Sequence, residues 1–369
     1  MKAVAVIPER RELALVDVGE PKIGLPTEVK LRMLEVGICG TDREICAFQY
    51  GLPPAAEREL VIGHESLGEV VELGADVTDL ALGDLVVPTV RRPCPHPGCA
   101  ACRAGRQDFC YTGDFTERGI KQRHGYMTEL VVDDQAFMNR VPPEIRDVAV
   151  LVEPLTIAEK ALAQVWQVQQ RLPWVKPGER QSGLGHSALV LGAGAVGLLG
   201  ALALAAAGFG VTVYSREPSD GPKAKLVRRF AKYASAGEQT LEQVAGGIGN
   251  VDLVYEAVGA SAVAFEMMKF LGVNGVFVFT GVPGKHGPIS VDADLIMRNL
   301  VLKNQVVFGT VNAGRDAFAA AIRDLVTFRD RWPEVVGSLI AGRFPLDGYR
   351  ELLLGDPPGV KNVLRLAGT

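Results

Sequence analysis

The chain has 369 residues, 48% of them apolar and 22% charged, with a net charge of −4 and six cysteines. That length exceeds one ordinary hydrophobic core, so two globular domains are expected. Basic residues are scattered apart from the short run KAKLVRRFAK (223–232), too little for the extended basic surface a nucleic acid requires, so no such partner is expected.

The opening MKAVAVIPERRELAL reads as a strand and a turn, because Pro8, Glu9, Arg10 and Arg11 arrive before an export-type apolar core is complete. A cytoplasmic location is therefore expected, where thiols stay reduced and clustered cysteines are metal ligands rather than disulfides. β-type runs follow at VKLRMLEVGI (29–38), SLGEVVELG (66–74), DLVVPTV (84–90) and MTELVVDD (127–134), predicting a β-rich, partly barrel-like region over residues 1–150. EPLTIAEKALAQVWQVQQ (153–170) predicts a helix, with Leu155, Ala158, Leu162, Val165 and Trp166 at helical spacing. PWVKPGERQSGLGH (173–186) reads as a linker.

From Ser187 strands alternate with helices: SALVLG (187–192), a helix after Gly194, VTVYS (211–215), a helix near 223–231, DLVYEAVG (252–259), a helix near 262–271 and VFVFTGV (276–282). This alternation predicts an α/β fold with a doubly wound parallel sheet. The most apolar segment, AVGLLGALALAAAGFG (195–210), is short for a bilayer and broken by glycines, so it reads as a buried helix and no membrane association is expected. After Asn312 come a helix near 315–330 and FPLDGYRELL, expected to pack back on the first domain.

Gly192, Ala193, Gly194, Ala195, Val196 and Gly197 follow the strand SALVL and open a helix. In that setting the first glycine makes a tight turn, the second lets a pyrophosphate approach the backbone, and the third lets helix and strand pack closely. The free N–H groups at the helix start bind the diphosphate. An NAD site places an acid about 20 residues on, at the end of the second strand. Here that strand ends in Ser215 and Arg216, with Glu217 just beyond. A hydroxyl and a guanidinium suit a 2′-phosphate, so NADP is the expected cofactor and NAD the alternative.

In the first region Cys39 (VGICGTD) and His64 (VIGHESLGEVV) offer a thiolate and an imidazole, the donors zinc prefers, and Glu65 and Glu153 add carboxylates. Three protein ligands and one open position make a catalytic site. Singly, Cys39 also reads as a core cysteine and Glu153 as a charge favoured at a helix N-terminus.

GICGTD, GHESLGEVVELG, GDLVV, the cysteine-rich stretch at 91–110 and GAGAVG occur in the order found in the zinc-dependent medium-chain dehydrogenase/reductase superfamily, which the whole chain resembles. GTDREI, TVRR, GRQDFC, VEPLTIAEKAL and FGTVNA resemble its glucose 1-dehydrogenase branch. The resemblance implies a GroES-like catalytic domain at 1–171 and 313–369, a Rossmann-type dinucleotide-binding domain at 172–312, and dimers or tetramers. It matches Cys39, His64 and Glu153 to catalytic zinc ligands. Glu65 either ligates the metal or stands behind its ligands. Thr41 matches the hydroxyl that starts proton removal, and Glu117 and Asn312 match positions contacting sugar hydroxyls or the nicotinamide. Some members of the branch carry an Asp four positions after the third ligand, where this chain has Ile157.

The implied reaction is hydride transfer from C1 of an aldose, D-glucose first, to the nicotinamide, giving a lactone. Zinc acts as a Lewis acid on the reacting hydroxyl, and the expected site lies where cofactor meets metal, in a cleft between the domains. A dehydrogenase of another polyol, aldose or aminocyclitol is the alternative, and a non-catalytic cofactor-binding member of the fold a remote one.

Cys94, Cys99, Cys102 and Cys110 are spaced C-x4-C-x2-C-x7-C, a set able to close one tetrahedral zinc. A closed shell leaves substrate no position, so this second zinc is structural. The superfamily's usual spacing would put His96 in the first ligand place; Cys94 is preferred because Pro95, Pro97 and Gly98 can loop the chain out and return it to Cys99. Cys46 reads as a thiol near Cys39, and His124, His186 and His286 as loop residues without duty.

Overall fold

The computed structural model describes residues 1–176, 181–284 and 287–366, so part of the expected linker, and His286, lie outside the described residues. The chain forms two compact units. The first comprises Met1–Thr156, Asn312–Arg329 and Val336–Thr369, and the second Ile157–Val311 and Asp330–Val335.

In the first unit a seven-stranded sheet runs Met138–Arg140, Leu85–Pro88, Glu65–Leu73, Glu28–Gly37, Lys361–Arg365 and Ile340–Pro345, with Leu130–Asp134 also paired to Glu28–Gly37. Lys2–Ile7, Glu12–Asp17 and Leu60–Val61 form a smaller sheet. The long central strand shows how sequence makes this core: Val29, Leu31 and Met33 alternate inward, and an irregularity between Met33 and Glu35 shifts the phase so that Val36 is buried as well. These side chains meet Val70, Val86, Tyr126, Met127 and Leu364 in one cluster. Each fully buried side chain of this size contributes about 1.5–3 kcal/mol.

The second unit holds six parallel strands in the spatial order Lys232–Ser235, Gly210–Ser215, Ser187–Leu191, Leu253–Glu256, Val276–Phe279 and Val306–Gly309. The first strand in sequence is central and the order reverses there, which is the doubly wound Rossmann arrangement. Helix Ala195–Ala206 is buried from Gly197 through Leu204, as its all-apolar sequence requires. Among the described residues no helix is long and apolar enough to cross a membrane.

The four expected strands of the first region appear as Glu28–Gly37, Glu65–Leu73, Leu85–Pro88 and Leu130–Asp134, and the 153–170 helix as Val152–Gln169. The helix expected near 223–231 is confined to Pro222–Val227. Four elements of the second unit escaped prediction: Lys232–Ser235, Leu241–Ile248, Ala293–Leu302 and Val306–Gly309. The two strands are four residues long. Helix Leu241–Ile248 did carry a signal, since Thr240 and Gln243 exchange both bonds of a capping box.

Candidate active site and metal centres

Strand pairing assembles the first donor group. Glu28–Gly37 runs antiparallel to Glu65–Leu73 with Gly37 opposite Glu65, so Cys39, two residues past one strand, meets His64 and Glu65 at the start of the other. Glycine is needed at both approaches. A side chain at Gly37 would strike the Glu65 carboxylate, and Gly63, at φ +92°, leaves no room for a Cβ beside Met127. One ligand atom each from Cys39, His64 and Glu65 lies within 4.8 Å of the others.

Asp42, on helix Gly40–Cys46, is fully buried behind this group. Its Oδ2 accepts the Cys39 N–H at 2.9 Å, while Oδ1 stands 3.3 Å from His64 Nδ1, an electrostatic contact without hydrogen-bond alignment. Burial disfavours the charged His64 ring, but the adjacent Asp42 carboxylate outweighs it and holds the pKa well above the ordinary histidine value. Thr41 precedes Asp42 on the same helix and is half-buried.

Glu65 ion-pairs with the buried Lys361, whose Nζ also donates to Ile38 O at 3.0 Å. Glu153 stands beside the group rather than within it. It is buried in the first turn of helix Val152–Gln169, and its pKa is pushed up to about 7 by burial, with the Glu65 charge adding and His64 and Lys361 opposing. A half-buried thiol with a buried imidazole and buried carboxylates, and with Lys361 and Asp42 as fixed charges around them, fits a zinc ion by donor chemistry. Asp42 and Lys361 were both missed from sequence. Asp42 had left a local signal, an acid three residues after the residue it caps; Lys361 is 296 positions from its partner and left none.

Glu117 and Asn312, 195 residues apart, are bonded to each other: Asn312 Nδ2 donates to Glu117 Oε1 at 3.0 Å. The same oxygen accepts from Arg91 Nε at 3.0 Å, with Arg91 Nη2 in ion-pair contact at 2.9 Å. Asn312 adopts φ +57° and accepts the Ala313 N–H on its Oδ1 at 2.9 Å, a left-handed turn that Asn tolerates.

The sulfurs of Cys94, Cys99, Cys102 and Cys110 lie within 4.8 Å of one another and form no disulfide. His96 is turned away to pair with Asp114 at the surface. Four converging thiols fit a closed tetrahedral zinc site.

In the second unit Gly192 adopts φ +105°, a Cβ on Gly197 would run into the Gly192 carbonyl, and one on Gly194 would meet nothing. The glycines thus serve as turn, open approach and close helix–strand contact in the expected order. Ser215 is half-buried at its strand end and Arg216 is exposed. Glu217 is drawn aside by the Lys223 ammonium at 3.6 Å and the Lys223 N–H at 3.3 Å.

Two other histidines and a thiol also find their places. His124 is not idle: its Nδ1 accepts the Val61 N–H at 3.1 Å and Nε2 meets Glu57 at 2.7 Å, so it ties strand Leu60–Val61 to the segment that carries Glu57. His186 is exposed, 3.5 Å from Asp252. Burial pushes the Cys46 thiol up to about 12, with the Asp42 charge adding.

Two family models match the chain, "Alcohol dehydrogenase GroES-like domain" over residues 25–143 and "Glucose dehydrogenase C-terminus" over 146–366. The glucose 1-dehydrogenase of Methanocella arvoryzae is 39% identical over 368 residues, covering 99% of both chains. That of Thermoproteus tenax is 38% identical over 370 residues, again covering 99% of both. Among solved structures, Haloferax mediterranei glucose dehydrogenase in complex with NADP, Zn and gluconolactone is 30% identical, covers 100% of both chains and superposes with a TM-score of 0.88. With the donor group, the cysteine lobe and the glycine turn all in place, the chain belongs to the glucose dehydrogenase branch of the zinc-dependent medium-chain dehydrogenases/reductases.

Proposed function

We propose that the protein oxidises an aldose at C1, with D-glucose the leading substrate, and passes the hydride to NADP to yield the aldonolactone. The observation that carries this reading is the meeting of half-buried Cys39 with buried His64 and Glu65 beside Glu153. Relatives sharing the full length are glucose 1-dehydrogenases. Cys39, His64 and Glu153 hold the catalytic zinc, and Glu65, tied to Lys361, stands as a further ligand or as the charge behind them. Cys94, Cys99, Cys102 and Cys110 hold the structural one. When bound, zinc supplies Lewis acidity to the reacting hydroxyl and the nicotinamide supplies the hydride acceptor.

The chain's own groups do the rest. Asp42 orients the His64 ring through Nδ1. Thr41 takes the substrate proton outward, Glu117 and Asn312 orient the sugar ring, and the N–H groups opening helix Ala195–Ala206 hold the pyrophosphate. Ser215 and Arg216 read the 2′-phosphate, a role that Glu217, already engaged by Lys223, leaves to them. We further infer a cytoplasmic dimer or tetramer. The free cysteines suit a reducing compartment, and Met297, Val301 and Leu302 are exposed on one helix.

The test is a set of initial rates on aldoses and polyols with NADP and NAD side by side. Highest kcat/KM on glucose with NADP supports the reading; turnover confined to polyols replaces the substrate, and preference for NAD replaces the cofactor.

A further inference from the structure

We propose that Arg91 is a positioning residue that locks Glu117 in one orientation for sugar binding, an inference that rests on the reading of Glu117 as a sugar contact. Strands Arg91–Arg92 and Thr116–Arg118 pair antiparallel with Arg91 opposite Glu117. The two side chains are therefore cross-strand neighbours, and both are buried. The guanidinium donates from Nε to one carboxylate oxygen, Oε1, at 3.0 Å, and its Nη2 stands in ion-pair contact with the same oxygen at 2.9 Å. Its face lies on the Phe115 ring, 3.6 Å from Cζ to the ring centroid, and Nη1 reaches Asp108 O at 3.4 Å.

Asn312 Nδ2 adds a second hydrogen bond to Oε1. Among the described residues no hydrogen bond goes to Oε2. One carboxylate oxygen is thus saturated by the protein and the other is left to accept a hydroxyl. A free glutamate side chain loses rotamer entropy when a ligand fixes it. Here that cost is met on folding, so the acceptor is already oriented when sugar arrives. Lysine cannot replace this arrangement, because an ammonium has neither the planar face for Phe115 nor the fork that bonds Oε1 through Nε while Nη1 reaches Asp108 O.

The experiment is a double-mutant cycle of Arg91→Lys and Glu117→Gln in the zinc-loaded enzyme, reading glucose KM, kcat, NADP Kd by fluorescence titration and thermal midpoint. Arg91→Lys is expected to raise glucose KM about tenfold, the scale of one charge-assisted bond, with a smaller change in kcat and none in NADP Kd. The double variant is expected to be no worse than Glu117→Gln alone, because Arg91 acts through that carboxylate. A wild-type glucose KM in Arg91→Lys, or losses that multiply in the double variant, would overturn the proposal. An unchanged KM in Glu117→Gln would instead refute the reading of Glu117 beneath it. Asn312→Ala, which removes the other donor, supplies the same cycle should Arg91→Lys fold poorly. Its KM increase is expected to be smaller and to vanish in the Glu117→Gln background.

Discussion

Replacing Asp133 with Asn tests the ion cluster beneath the strands that carry Arg91 and Glu117. Asp133 Oδ2 accepts from Arg92 Nη2 at 2.7 Å and from Arg118 Nε and Nη2 at 2.8 and 2.6 Å. All three side chains are buried. Arg123, 3.2 Å from Oδ1, is 39% exposed, so it counts for about 0–1 kcal/mol. Breaking a buried ion pair typically costs about 3–5 kcal/mol. The lower end applies, because Arg92 keeps its bond to Thr89 O and Arg118 keeps those to His124 O and Val132 O. We expect a loss of about 3 kcal/mol, or roughly 6–12 °C in Tm for a domain of this size.

The loss should depend on pH with a defined sign. Burial raises the Asp133 pKa, but Arg118, Arg92 and Arg123 together outweigh it and hold it well below the usual carboxylate range. A depressed folded pKa stabilises fully above the unfolded value near ~3.9 and loses that contribution as pH falls toward the folded one. Urea midpoints should therefore separate wild type from Asp133→Asn by a constant margin from pH 5 to 8, and converge below about pH 4. A difference under about 1 kcal/mol at pH 7, or an undiminished one at pH 3, refutes this account.

His64→Ala should lower kcat at least about a thousandfold, the scale of losing Lewis-acid assistance, with NADP affinity by fluorescence titration unchanged. Asp42→Asn should weaken zinc binding about 10–100-fold in chelator competition, because the carboxylate orients a ligand without being one. Cys94→Ala should drop the metal content by one zinc per chain on elemental analysis, and His96→Ala should not, since that ring faces Asp114. Arg216→Ala should raise the KM for NADP about tenfold or more and leave that for NAD nearly unchanged, because a guanidinium on a phosphate contributes at least one strong charge-assisted bond.

The second unit was legible because its signals are local. The turn at Gly192, the close contact at Gly197 and the strand–helix alternation are properties of neighbouring residues. The cysteine lobe is local too, and its four sulfurs converge although the superfamily's usual spacing left His96 in contention. The first donor group is different. Cys39 and His64 stood out by residue type, but composition could not say that they meet. What joins them is the pairing of Gly37 with Glu65, which depends on a hydrophobic alternation that shifts phase near Met33.

The groups that tune the site are the ones sequence hides most completely. Lys361 reaches the Glu65 carboxylate from 296 residues away. A buried Lys or Arg carries no periodic or capping signature, and on composition alone each reads as surface charge. Burial turns these residues into fixed electrostatic walls, because an unpaired charge there costs several kcal/mol and the chain must supply its partner from wherever the topology permits. In this fold that place is the strand Lys361–Arg365, which returns alongside Glu28–Gly37 and brings Lys361 to Glu65. The chemistry at residues 39–65 therefore depends on the last strand having found its place. A change that weakens the pairing of Val363 with Gly37 should cost zinc affinity before it costs the fold of the second unit.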